Sequence, residues 1–237
     1  MPLPTIEVPK YKLKIPSTGK MVTFRPFLVK EEKILLTALE TGKDEDELTE
    51  ALFDIVDKCI QTKGINVRQL APFDLEYIFL QLRAKSVGEI ANLYIKCRNE
   101  ECGFEFEHGV DIGKLKINKD KTHTDKIQFN DNLGVIMKYP NLESSMVLQK
   151  QQSTNDLFAM IANCIDSIYT KEEVFSHKDH TQEEIENFIE QLSPEYFKKI
   201  MNFFETMPTM KNDIKCTCPN CKTEIIMAVR GIEDFFV

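Results

Sequence analysis

The sequence predicts an α+β fold: helical segments around a small β/zinc-ribbon element with a four-cysteine site, and a β-hairpin at the N-terminus. Three observations lead there. Two cysteine pairs, Cys97/Cys102 and Cys218/Cys221, each stand between two short β-type runs. Long stretches elsewhere carry apolar residues at helical spacing, and the segment up to residue 28 alternates with a period of two instead.

Taken in order, residues 2–28 hold several prolines and interleave Tyr11, Leu13 and Ile15 with Lys10, Lys12 and Lys14, the pattern of a half-buried strand. Pro16-Ser17-Thr18-Gly19-Lys20 is a turn by composition, and Met21 to Phe24 runs back to complete a hairpin. The lysines read as the solvent side of an edge strand, where lysine discourages stray pairing; an anion-binding face is the alternative.

Residues 29–87 read as helical. Leu35, Leu36 and Leu39 give a first helix that stops near Gly42. A second runs from Asp44 or Asp46 to about Thr62, with Leu48, Leu52, Ile55, Val56 and Cys59 on one face. The acidic run from Asp44 to Glu47 suits the positive start of a helix and needs no cation. Asn66 to Leu70 is a short turn, Pro72 to Lys85 a third helix, and Ser86-Val87-Gly88 its end.

From Glu89 to Tyr139 the pattern is β. Ile90 to Ile95 leads into Cys97, Phe104 to Ile112 leads out, and Ile127 to Tyr139 makes a longer ribbon turning at Asn130-Asp131-Asn132. Lys114 to Lys126, rich in lysine, reads as a loop. His108 and His123 stand at no ligand spacing from a cysteine pair and read as surface histidines.

The cysteines carry the chemistry. A turn with two thiolates at its tip is half of a tetrahedral zinc site, and two such turns make a closed one. Cys97, Cys102, Cys218 and Cys221 are therefore expected to bind structural Zn2+ and to clamp the end of the chain onto its middle. Such binding is worth about 10–16 kcal/mol in zinc-finger peptides. Cys216 stays open as a replacement for Cys218: Ile214-Lys215-Cys216 echoes Ile95-Lys96-Cys97, and Cys216/Cys221 repeats the spacing of the first pair. The Cys-Pro-Asn-Cys run favours Cys218, since it folds as a tight turn with amides free to face the sulfurs. Cys59 and Cys164 lie in apolar helical patterns and read as core.

Residues 142–211 return to helix. Thr154-Asn155-Asp156 caps a run through Leu157, Met160, Ile161, Cys164, Ile165 and Ile168, and Tyr169 to Phe175 is a connecting excursion. Thr181 to Glu184 has the capping-box pattern, and Ser193-Pro194 opens the next helix. The stripe Tyr196, Phe197, Ile200, Met201, Phe203 and Phe204 reads as core rather than as a partner groove, and the ending Phe235-Phe236-Val237 as buried. The chain thus divides into an N-terminal hairpin arm (1–28), a helical region (29–87), a discontinuous β/zinc-ribbon region (88–140 plus 212–237) and a helical insertion (141–211).

At 237 residues, with 42% hydrophobic and 29% charged, the chain has the length and composition to bury a core as an ordinary globular protein. Its net charge of −8 disfavours binding along a phosphate backbone. Lys96, Arg98, Lys215 and Lys222 beside the ribbon nonetheless keep a zinc-ribbon nucleic-acid or transcription-machinery binder as the second reading. The N-terminus shows no signal-peptide pattern, no apolar run reaches the ~18 residues of a membrane span, and the seven cysteines are expected to be reduced in a cytosolic setting. No catalytic set and no cofactor-binding motif stand out. With nine glycines there is no phosphate loop, and G-x-S-x-G and H-E-x-x-H are absent. His177 and His180 have no evident carboxylate partner. Zinc held by four cysteines keeps no open position, so a non-enzymatic protein is expected.

The stretch from Pro16 to Leu35, above all Arg25-Pro26-Phe27-Leu28-Val29-Lys30-Glu31, resembles the N-terminal signature of the T4-type bacteriophage baseplate proteins. The cysteine pairs Cys97/Cys102 and Cys218/Cys221 and the Phe235-Phe236 ending extend the resemblance over most of the length. It implies a viral protein that acts in assembly of the baseplate hub in the host cytoplasm, with other hub proteins as partners and a place in the virion tail baseplate as a further possibility.

Overall fold

The computed structural model describes residues 7–41, 45–142, 144–145, 153–210 and 212–229. Gly42 and Asp44, expected at helix boundaries, and the Phe235-Phe236-Val237 ending lie outside the described residues. In chain order the elements are β1 (Tyr11–Lys14), β2 (Met21–Phe24), α1 (Val29–Thr41), α2 (Glu45–Cys59), α3 (Pro72–Ser86), β3 (Ile90–Lys96) and β4 (Glu105–Asp111). There follow β5 (Lys126–Asn130), β6 (Leu133–Met137), α4 (Thr154–Cys164), β7 (Ile165–Thr170), β8 (Val174–Ser176), α5 (Gln182–Glu190), α6 (Pro194–Glu205), β9 (Asn212–Thr217) and β10 (Glu224–Val229). The fold is α+β. Two compact units share the chain: 1–67, 73–118 and 210–237 form one, 68–72 and 119–209 the other.

In the first unit the lysine–apolar alternation of β1 does what its period requires. Leu13 is buried while Lys12 and Lys14 face solvent, and β1 pairs antiparallel with β2 from Tyr11↔Phe24 to Lys14↔Met21. The hairpin is then tied down by polar contacts. Asp74, fully buried in the first turn of α3, accepts hydrogen bonds from the backbone N–H of Ser17 (2.9 Å) and from its hydroxyl. Arg25 N–H donates to the carbonyl of Cys59 at 3.0 Å, and Phe27 N–H to the hydroxyl of Ser86 at 2.9 Å. The chain after β2 is thereby fixed to the ends of both α2 and α3.

Arg25 and Glu31 form a buried ion pair in this unit. The guanidinium grips the carboxylate with both terminal nitrogens, at 2.9 and 3.3 Å, and the same carboxylate accepts from Leu28 N–H at 2.8 Å. Leu28 immediately precedes α1, so Glu31 also caps the helix it stands in. Burial opposes ionisation of Glu31, but the bonds from Arg25 and Leu28 and the charge of Arg25 prevail and hold its carboxyl below the ordinary range. The carboxylate is 1% exposed and its partner 13%.

The second unit is a four-stranded antiparallel meander, β5-β6-β7-β8, covered by α4, α5 and α6. Gly134 in β6 has to be glycine, since a Cβ there would meet the Ile127 carbonyl at 2.6 Å and run into the Tyr169 hydroxyl. Ser153 and Asp156 form a capping box for α4, so the cap stands one residue before the expected Thr154. Thr181 and Glu184 do the same for α5, and Ser193 with Pro194 opens α6.

Four further expectations are corrected. The helix over 154–168 ends at Cys164: Ile165 and Ile168 belong to β7, where register with β6 (Val135↔Ile168, Met137↔Ile165) overrides their helical spacing. Tyr169 to Phe175 is accordingly the β7–β8 hairpin rather than a connecting excursion. His123 is not a surface histidine. It packs on the rings of Tyr139 and Phe203 (centroids 5.6 and 5.0 Å), with Nε2 2.9 Å from the Tyr139 hydroxyl and Nδ1 3.0 Å from the Thr206 hydroxyl. His180, for which no carboxylate was evident, has its Nδ1 3.5 Å from Glu184.

Replacing Glu31 by Gln leaves the Arg25 charge buried and unpaired, and should lower stability by about 3 kcal/mol in urea unfolding; a change below about 0.5 kcal/mol would contradict this role. Burial, then the charge of Lys119, lowers the His123 pKa below its ordinary value. A histidine whose folded pKa is depressed contributes stability above its unfolded pKa and loses it as pH falls. The thermal midpoint should therefore drop as pH falls below about 6.5, more steeply in the wild type than in His123→Gln. Parallel slopes would remove His123 as the cause.

Candidate metal centre

Two antiparallel ribbons build the site. β3 and β4 pair from Ile90↔Asp111 to Lys96↔Glu105 and close on residues 97–104; β9 and β10 pair from Asn212↔Val229 to Thr217↔Glu224 and close on residues 218–223. The two loops share one plan. Cys97 N–H donates to the Phe104 carbonyl (2.8 Å), and Cys218 N–H to the Thr223 carbonyl (2.9 Å). The residue after each second cysteine takes the left-handed conformation, Gly103 at φ 54° and Lys222 at φ 63°. Glycine does so freely, whereas Lys222 does so at a cost of about 1 kcal/mol, held by its N–H bond to the Cys218 carbonyl (3.0 Å).

The first loop is two residues longer, and Asn99 absorbs the excess. Its carbonyl accepts from the N–H groups of Cys102 (2.9 Å) and Gly103 (3.0 Å), and its side chain accepts from Glu101 N–H (3.1 Å). Wider spacing therefore still delivers both sulfurs to the tip.

Cys97, Cys102, Cys218 and Cys221 come together with all four sulfurs within 4.8 Å of one another. The Cys97–Cys221 separation is 3.6 Å and Cys102–Cys218 is 3.9 Å. All seven cysteines are free thiols. A tetrahedron of sulfurs at the zinc–thiolate bond length of ~2.3 Å has edges of roughly 3.8 Å, so the arrangement suits a tetrahedral thiophilic ion. The set could hold a metal ion, and with four protein ligands no coordination position would remain for a substrate.

Polar groups reach two of the sulfurs. The Asn220 side-chain amide donates to Cys102 at 3.3 Å, and the Thr223 hydroxyl lies 3.2 Å from the Cys221 sulfur. Thr223, through hydroxyl and N–H, brings the Cys221 pKa down to about 6. At Cys97 the Asn99 N–H also favours the thiolate, but burial and the neighbouring sulfurs outweigh it and push the thiol up to about 12. Cys221 thus gives up its proton readily while Cys97 resists, the behaviour of closely packed thiols that a cation would relieve. Asn99, Asn220 and Thr223 were not singled out from sequence; Asn220 and Thr223 adjoin the Cys-Pro-Asn-Cys turn, which was the available signal.

The remaining candidates lie elsewhere. Cys216 is buried in mid-strand, opposite Ile225, in the core that also holds Ile95, Val110 and Cys218, and is not a member of the sulfur group. Cys59 and Cys164 end α2 and α4 in the interior, where burial raises their pKa values to about 11 and about 12. His108 lies in β4 opposite Leu93. Among the described residues no helix is long and apolar enough to cross a membrane.

Comparison with known proteins adds one finding. No curated protein and no solved structure matches the chain. The family described as T4 bacteriophage base plate protein matches residues 8–237, which takes in the Arg25–Glu31 clamp, both ribbons and all four clustered cysteines. On that match the chain belongs to the T4 bacteriophage base plate protein family.

Proposed function

We propose that this protein acts in assembly of the central hub of a phage tail baseplate, as a non-enzymatic component that works through contacts with other hub proteins. The family match over residues 8–237 carries the reading. The acidic net charge of −8 supports protein partners over nucleic acid. Two of the cations expected to serve nucleic-acid binding beside the ribbon are also engaged: Lys96 pairs with Glu105 at 3.1 Å, and Lys222 donates to the Pro219 carbonyl at 3.0 Å. In this reading Zn2+ at Cys97, Cys102, Cys218 and Cys221 is structural, the host cytoplasm is where assembly takes place, and the tail baseplate is where a retained copy would stay.

Two measurements test it. Cys218→Ser and Cys221→Ser should each reduce bound zinc from about one ion per chain towards none and lower the thermal midpoint by roughly 10 °C or more, while Cys216→Ser keeps its metal. Full zinc retention in both ligand variants would overturn the assignment. Affinity capture of the tagged chain from infected cells should return baseplate hub proteins in fixed stoichiometry. A chain that stays monomeric in the presence of them all would refute the assembly role, and its presence in mature particles would make it a structural subunit.

A further inference from the structure

The first unit carries a cleft of about 630 Å³ between the hairpin, α3 and the segment after β4. Its rim holds three lysines, Lys14, Lys114 and Lys116, and its lining includes the half-buried Tyr77, Leu115 and Ile117. Among the described residues no carboxylate lines it, in a chain that carries eight more acidic than basic groups. Lys114 is paired with Asp111 at 2.7 Å, whereas Lys14 and Lys116 have no ion-pair partner among the described residues.

We propose that this cleft binds an extended acidic segment of a partner protein, with carboxylates at alternate positions and an apolar side chain between them. The register follows from the lining. Residues 114–117 alternate lysine with half-buried leucine and isoleucine: Lys114 closes a 3-10 turn, Leu115 after it is extended, and the cations recur every second residue. An extended peptide with acidic residues at i and i+2 has the same repeat and offers its intervening side chain to the apolar floor. Recognition runs through side chains, because the backbone of Lys116 is already satisfied: its N–H and carbonyl both pair with the Asn212 amide, at 3.4 and 3.2 Å. Lys14 adds a charge from the opposite wall, and its side chain lies along the hairpin turn, 3.2 Å from where a Cβ on Gly19 would stand. A nucleic acid is disfavoured, since a strand extending beyond the cleft would meet the acidic remainder of the surface. The inference rests on the baseplate reading only for where the partner comes from.

The test uses a fluorescein-labelled nine-residue peptide alternating glutamate with leucine and phenylalanine, titrated with the full chain. Controls are the same peptide with glutamine for glutamate and a ten-nucleotide oligothymidine. Expected are saturable binding of the acidic peptide, a loss of about tenfold or more in Lys14→Glu/Lys116→Glu, and a change of less than about twofold in the equally basic-to-acidic Lys10→Glu/Lys12→Glu. Absence of binding, equal loss in both double variants, or tighter binding of oligothymidine would each overturn the proposal. The same variants in the capture experiment separate the two claims. Wild-type chain that recovers no hub proteins refutes the assembly role, whereas equal recovery by wild type and Lys14→Glu/Lys116→Glu refutes the cleft alone.

Discussion

The first unit depends on the convergence of four sulfurs at the tips of two ribbons that are distant in sequence. Neither β3–β4 nor β9–β10 has more than two strands, and an isolated two-stranded ribbon is marginal in water. Their stability is drawn from a shared apolar layer, where Leu93, Ile95 and Val110 meet Cys216 and Ile225. The segment between the two ribbons in sequence contains most of the second unit. Bringing the sulfurs together therefore closes a long loop, and a metal ion held there would be the kind of cross-link whose entropic benefit grows with the length it encloses.

A second constraint fixes the N-terminal half by polar rather than apolar means. The buried carboxylates Glu31 and Asp74 each satisfy groups from a different segment, Arg25 and Leu28 in one case and Ser17 in the other. Buried carboxylates are tolerated only when their oxygens are fully engaged, so these contacts specify one docking of the hairpin where apolar packing alone would accept several. The Arg25–Glu31 stretch, on which the resemblance to the baseplate family was first read, builds this clamp. Zinc at the ribbon tips, hub partners and an acidic ligand in the lysine cleft extend this picture as proposals, and all three treat the protein as a rigid presenter of surfaces.

Much was legible in the residues because the relevant signals are local. The period-2 alternation of Tyr11 to Ile15 defines a strand face, Ser193-Pro194 defines a helix start, and strand-Cys-Cys-strand defines a ribbon turn, each within about ten residues. Ile165 and Ile168 were misread for the same reason. Their three-residue separation fits a helix when nothing else is known, and only pairing with β6 places them in a strand. His123 was misread because its partners, Tyr139 and Phe203, are brought to it by tertiary packing.

Composition and short-range pattern by themselves determined that this is an α+β protein with an N-terminal hairpin, two cysteine ribbons and an acidic surface, because secondary structure and net charge follow from neighbouring residues. The Cys-Pro-Asn-Cys run favoured Cys218 over Cys216, and tertiary structure put Cys218 with Cys97, Cys102 and Cys221, since strand register turns Cys216 towards Ile225 and the core. Tertiary structure alone decided that Lys14, Lys114 and Lys116 share one cleft. Such facts are set by which distant segments pack together, and that is a property of the whole chain's burial and hydrogen bonding rather than of any window within it.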